Sequence, residues 1–158
     1  MLALGQDLSV NHVGGATVLT FKKILVPLDD SEHSRRAFRY ALGLAQAQKA
    51  FVGLVHCFDR IPMLIGGGAR KTVTQEHTAV AEKLFSPYVK RLRDIGVEPA
   101  QIVREGSPGE AIVREAASGD YDLIVMGSRG LSDLEGVILG STAHAVLTEA
   151  SCPVLIVR

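Results

Sequence analysis

Asp122-Leu123-Ile124-Val125-Met126-Gly127-Ser128-Arg129-Gly130, followed nine residues later by Gly140-Ser141-Thr142, is the stretch from which the rest of this sequence can be read. Leu123 to Met126 is a short apolar run, the pattern of a strand buried on both faces. The run stops at Gly127, and Gly130 follows. Glycine lets a chain turn through positive φ and lets a ligand approach the main chain. Gly140-Ser141-Thr142 then opens a pattern in which Ala143, Val146, Leu147 and Ala150 recur at helical spacing. A helix N-terminus carries unpaired N–H groups and the positive end of the dipole, so it receives an anion such as phosphate. Strand, glycine turn, loop and polar helix start together describe a phosphate cradle. By spacing alone they equally describe two ordinary loop glycines before a Gly-Ser helix start.

Working outward, the same alternation of strand and helix fills the chain. Lys22 to Leu28 reads as a first strand, with Pro27 at its carboxyl end because proline cannot donate to a ladder. Asp29-Asp30-Ser31 suits a helix start, and Ala37, Phe38, Ala41, Leu42, Leu44 and Ala45 then share one helical face. Ala50 to Phe58 is the second strand. An irregular stretch over residues 60–71 follows, and Thr72 to Gln75 has the spacing of a capping box that opens a long helix. Pro87 inside that helix predicts a kink or a break. Glu98 to Arg104, less apolar, reads as a third strand at a sheet edge. Ser107-Pro108-Gly109-Glu110 predicts a short helix with a second capping box. Pro153 to Arg158 is a final β-rich run. Five strands alternating with four helices define an α/β fold, a single doubly wound domain whose five-stranded sheet is mainly parallel with helices on both faces. Residues 1–20 read as an N-terminal extension of open structure, and 21–158 as the domain.

Composition narrows the function. The chain has 158 residues, 47% of them hydrophobic, enough for one sizeable core. Lys+Arg and Asp+Glu both number 17, so no excess of positive charge points to nucleic acid or an anionic membrane. No run approaches a transmembrane span. The first twenty residues lack the pattern of a secretion signal. Cys57 and Cys152 lie in or beside apolar runs without metal-ligand spacing, which predicts reduced, buried thiols and a reducing compartment. His33, His77 and His144 fall on helix surfaces, and no spacing joins them into a metal site.

In an open α/β sheet the ligand sits beyond the carboxyl ends of the strands, where the strand order reverses. Two polar clusters occupy such positions, Pro27 to Ser31 and Gly127 to Thr142. Here the sequence resembles the universal stress protein family. Gly127, Gly130, Gly140 and Ser141 match that family's ATP-binding signature Gly-x2-Gly-x9-Gly-Ser/Thr. Pro27, Asp29 and Ser31 match its first turn, His56 and Cys57 its second strand's end, and Gly106 and Pro108 its Gly-x-Pro turn. The likeness covers roughly residues 21–158. It implies strand order 3-2-1-4-5, with the nucleotide held at the switch point between strands 1 and 4. Pro27 and Met126 would border the site. Asp29 would hold the ribose or adenine side, and the main chain at Cys57 would meet the base. Gly127, Ser128, Gly130, Gly140, Ser141 and Thr142 would hold the phosphates of ATP, with Mg²⁺ riding on them. A helix cap is the competing reading of Asp29, and Arg129 reads as a solvated loop residue whose position also permits a phosphate clamp.

The enzyme motifs are missing. No Gly-Lys pair exists to form a P-loop, no dinucleotide fingerprint follows the first strand, and no Gly-x-Ser-x-Gly elbow occurs. No base, nucleophile and stabiliser assemble for fast turnover. The expected protein is a cytoplasmic, ATP-binding stress-response sensor or regulator, read by an unidentified protein partner through the loops at residues 60–71 and 131–139. A slow ATP hydrolase and a dimerisation scaffold with a vestigial pocket are the rivals. The apolar Val154–Val157 run at a sheet edge, and the family likeness, imply a homodimer paired through that strand.

Overall fold

Strands β3 (Lys23–Pro27), β4 (Phe51–Phe58), β5 (Ala100–Glu105), β6 (Leu123–Gly127) and β7 (Val154–Val157) form one sheet in the order β5-β4-β3-β6-β7. Every pairing in it is parallel. The computed structural model describes residues 9–13, 16–131 and 139–158, with side chains from residue 19 onward. Alternation along the strands splits the core in two. Ile24, Val26, Leu123 and Val125 face Ala37, Phe38, Ala41, Phe85 and Leu92 of α1 (Glu32–Gln48) and α2 (Gly67–Asp94). Leu25, Ile124 and Met126 face Ile112, Ala116, Ala143 and Val146 of α3 (Pro108–Ser118) and α4 (Ser141–Glu149). Each such fully buried aliphatic contributes roughly 1.5–3 kcal/mol. The sheet is therefore doubly wound, in the order that the family likeness implies, and the less apolar β5 is indeed an edge.

The helix starts depart from expectation at two places. Thr72 to Gln75 does not cap α2, which begins five residues earlier, at Gly67. Thr72 is already inside the helix, where its hydroxyl donates to the Gly68 carbonyl at 3.1 Å. The irregular segment thus spans residues 59–66. Ser107 does sit at the N-cap of α3, but its side chain makes no capping bond. Glu110, the intended partner, instead reaches Arg60 at 3.6 Å. Nor does Pro87 break α2, which runs through it. Pro87 and Lys83 are exposed, so the carbonyl that loses its N–H partner faces water. Leu147, expected on the buried face of α4, is 46% exposed.

The sequence left residues 1–20 without assigned structure. They contain two antiparallel strands, β1 (Ser9–Val13) and β2 (Ala16–Thr20), in a sheet of their own. Gln48 at the end of α1 ties this hairpin to the domain, its Nε2 donating to the Leu19 carbonyl of β2 at 3.5 Å and its Oε1 accepting from the N–H of Phe21, just past β2, at 2.6 Å. Among the described residues no helix is long and apolar enough to cross a membrane.

Candidate functional site

β3 and β6 are neighbours whose continuations leave in opposite directions, β3 into α1 on one face and β6 towards α4 on the other. A crevice has to open between them. It is a cavity of about 400 Å³. Pro27 and Asp29 line it from β3, Cys57 from β4, Met126, Gly127 and Gly130 from β6 and its loop, and Ser141 and Thr142 from α4. Eight of the ten residues singled out by sequence therefore line one cavity. Ser128 and Gly140 lie behind it.

Those two residues build the wall. The Ser128 N–H donates to the Val157 carbonyl at 2.8 Å, and its own carbonyl accepts from the Gly140 N–H at 2.7 Å. This bond clamps the start of α4 to the end of β6. The Ser128 hydroxyl lies 3.3 Å from His33 Nδ1, and the residue is only 1% exposed. Gly140 is the N-cap of α4 and has no side chain to satisfy the first turn, so Ser141 and Thr142 bring the helix's positive end to the cavity. Half-buried Arg129 lines the same region and has no ion-pair partner among the described residues.

Gly127 is glycine for a reason other than turning. It is the last residue of β6. A Cβ there would stand 2.7 Å from the carbonyl carbon and Cβ of His33, so the residue lets the first turn of α1 close on the strand.

Asp29 joins the two sides. One carboxylate oxygen accepts from the Ser31 N–H at 3.1 Å and the other from the Leu131 N–H at 3.2 Å. The cap of α1 is Ser31, whose hydroxyl accepts from the Ser34 N–H at 3.1 Å. Asp29 thus orders the approach to the helix without capping it. Residues 132–138, most of the second loop expected to move, lie outside the described residues.

At the opposite wall β3 ends level with Val55, the last β3–β4 pair being Pro27 with Val55. The Val55 carbonyl accepts from Leu28 N–H on the β3 side at 2.9 Å, and the Phe58 carbonyl accepts from Gly106 N–H on the β5 side at 2.8 Å. Backbone groups alternate sides along a strand. The N–H and C=O of Cys57 therefore both point towards the β3 side, beyond the end of β3. His56 Nδ1 lies 2.8 Å from the Leu28 carbonyl. A carbonyl can only accept, so Nδ1 carries a proton, and in the neutral ring Nε2 is then the acceptor. Burial pushes the Cys57 thiol up to about 11, against the pull of the Arg104 guanidinium, which keeps it protonated and unreactive at neutral pH. Cys57 and Cys152 are free thiols, each half-buried.

The sequence did not single out Val55, Asp59, Ile112 or Leu131, which are also part of the lining. Only the strand register and the crossing of α3 bring them there. Nor did it foresee how the 59–66 segment is fastened. Both Glu105 oxygens accept from Arg70 at 2.7 and 2.8 Å, and one also accepts from the Ile61 N–H at 2.9 Å. His77 is no free surface ring, because it stacks on Phe58 with centroids 4.2 Å apart.

The sequence profile of the universal stress protein family matches residues 20–158. A universal stress protein of Thermus aquaticus is 37% identical over 138 residues, covering 87% of this chain and 99% of its own. Among solved structures, the hypothetical protein MJ0577 is 30% identical, with a TM-score of 0.77 over 88% of this chain and 96% of that one. The universal stress protein of Archaeoglobus fulgidus in complex with dAMP is 26% identical, with a TM-score of 0.64 over 89% of this chain and all of its own. With the profile spanning the whole five-stranded sheet and its four helices, the chain belongs to the universal stress protein family.

Proposed function

We propose that the chain binds an adenine nucleotide, ATP with Mg²⁺ on its phosphates, in the cavity between β3 and β6, and acts as a regulatory module read by a partner. The observation that carries this reading is the composition of the cavity's two ends. One end offers the paired N–H and C=O of Cys57, a donor and acceptor suited to the edge of a base, with the Asp29 carboxylate as an acceptor for ribose hydroxyls. The other offers the uncapped start of α4 with Ser141, Thr142, Gly130 and Arg129, suited to phosphate. Ser128 and Gly140 enter this reading as the clamp that holds the phosphate end, rather than as phosphate contacts through their side chains. The dAMP complex of the Archaeoglobus fulgidus relative supports the choice of an adenine nucleotide.

Slow hydrolysis is the second reading. His56 lines the cavity, and in the neutral ring its Nε2, with Nδ1 bonded to the Leu28 carbonyl, could take a proton from water. We further place the protein in the cytoplasm as a homodimer paired through β7. The test of the nucleotide reading is mass spectrometry of small molecules released when freshly purified protein is denatured. An adenine nucleotide in near-equal amount to protein is the expected result, and its absence from a sample that also fails to take up ATP would overturn the reading.

A further inference from the structure

A second and larger hollow, of about 890 Å³, lies between α1 and α2. Its floor is apolar, formed by Leu84, Pro87 and Val80, the last 58% exposed. Its rim is basic. Arg39 from α1 and Lys83 and Arg91 from α2 are all exposed, and none is ion-paired among the described residues. The Arg91 guanidinium is held over the Phe38 ring, 5.6 Å from its centroid, which keeps it at the rim. At the end beside Asp29 the balance is acidic, with Asp29, Asp30 and Glu32 facing Arg35 alone, which bridges Asp30 at 2.7 Å and Glu32 at 3.1 Å.

Three cations without counter-charges among the described residues, along an exposed aliphatic floor, call for an occupant with both carboxylates and apolar side chains. A small phosphate would satisfy the rim and leave the floor wet. A purely apolar segment would cover the floor and leave the cations without charge partners. The geometry points to docking of an acidic, amphipathic segment of a partner protein. Its apolar face would rest on Val80, Leu84 and Pro87, and its carboxylates would meet Arg39, Lys83 and Arg91. Asp30 and Glu32 repel further acidic residues at the other end and so set the direction in which the segment lies. Asp29, His56 and Leu131 line both this trough and the cavity described above. A segment in the trough therefore touches the wall of the proposed nucleotide site. That link rests on the nucleotide reading, whereas the docking itself does not.

Phage-displayed random peptides selected on the nucleotide-free protein test it. The selection should enrich sequences that combine Asp or Glu with large aliphatic or aromatic residues. A synthetic peptide from that pool, followed by fluorescence anisotropy, should bind about tenfold or more weakly to the triple variant Arg39→Glu, Lys83→Glu, Arg91→Glu. It should also bind more weakly to Val80→Ser, whose rim is intact. All four side chains are exposed, so the variants should keep the wild-type circular dichroism spectrum. Selected peptides without acidic residues, or an affinity that the triple variant leaves unchanged, would overturn the proposal. Equal competition by inorganic tripolyphosphate would make the trough a small-anion site instead. Self-association lost in the triple variant would assign the trough to a second copy of this chain. Because the selection runs without nucleotide, its failure says nothing against the neighbouring cavity.

Discussion

A methyl group at Gly127 would press on the His33 backbone at 2.7 Å, so Gly127→Ala should destabilise the fold by about 1–3 kcal/mol, the cost of overpacking. Denaturant unfolding measures this, and a variant as stable as wild type would show that α1 can retreat. Gly130 lines the cavity proper, so Gly130→Val should instead weaken ATP binding at least about tenfold at nearly unchanged stability. The two glycines look alike in sequence. The difference between a residue that packs a helix and one that borders a ligand is invisible without the approach of α1. Cys57 carries a pH prediction. Its thiol titrates near 11 when folded, above its value in the unfolded chain, chiefly through burial. Alkylation should therefore be slow at neutral pH. Between the two pKa values the unfolded chain has already lost a proton that the folded chain retains, so stability should fall as pH rises through that interval. Rapid labelling of Cys57 by iodoacetamide at pH 7 would contradict this assignment.

Along the elements, the sheet was legible because buried parallel strands leave continuous apolar runs, such as Leu123 to Met126 and Val52 to Val55, that periodicity detects. The capping boxes at Thr72 and Ser107 were not, since such spacing also arises inside a helix or where a side chain finds a better partner, as Glu110 does in Arg60. The β1–β2 hairpin did leave a signal, Gly14-Gly15 between two β-branched runs, which is a hairpin signature once looked for. The 59–66 segment was misjudged because its anchors, Arg70 and Glu105, are 35 residues apart in sequence. The Glu105 carboxyl is held below its usual range by the Ile61 N–H first and by Arg70 next, so the fastening persists through that range and is lost as pH falls through the lowered folded value. Glu105→Gln should then speed hydrogen exchange of the Ile61 amide and its neighbours, and unchanged exchange would mean the segment is held otherwise. At the far edge, the carbonyls of Pro153 and Val157 accept from β6. By alternation Ile156 presents its N–H away from the sheet. Ile156→Pro therefore removes an outward donor while sparing the β6 ladder. It should convert the proposed dimer to monomer in light scattering, and a dimer that survives would place the interface elsewhere.

For the whole molecule, the two cores meet at one sheet whose order reverses once, and the cavity lies at that reversal. This much could be foreseen, because the polar clusters after β3 and β6 occupy the carboxyl ends of two strands that the topology makes neighbours. The contributions of α3 and of the end of β4 that runs past β3 could not, since they depend on how far each strand extends past the next. A regulatory module has no need for turnover. ATP hydrolysis should lie far below the roughly 1–10³ s⁻¹ typical of enzymes, and several turnovers per second co-eluting with the protein would favour the hydrolase reading. Ligand that binds only the folded chain should raise stability by about 2.7 kcal/mol at a hundred times its Kd. For a chain of this size that is a shift in Tm of about 2–4 °C per kcal/mol. The most direct measurement is calorimetric titration of ATP, with Mg²⁺ present, into protein stripped of bound nucleotide. The account predicts saturable binding of one nucleotide per chain, sharply weakened by Gly130→Val. A flat titration of folded wild-type protein, with no thermal shift at millimolar ATP, would contradict it.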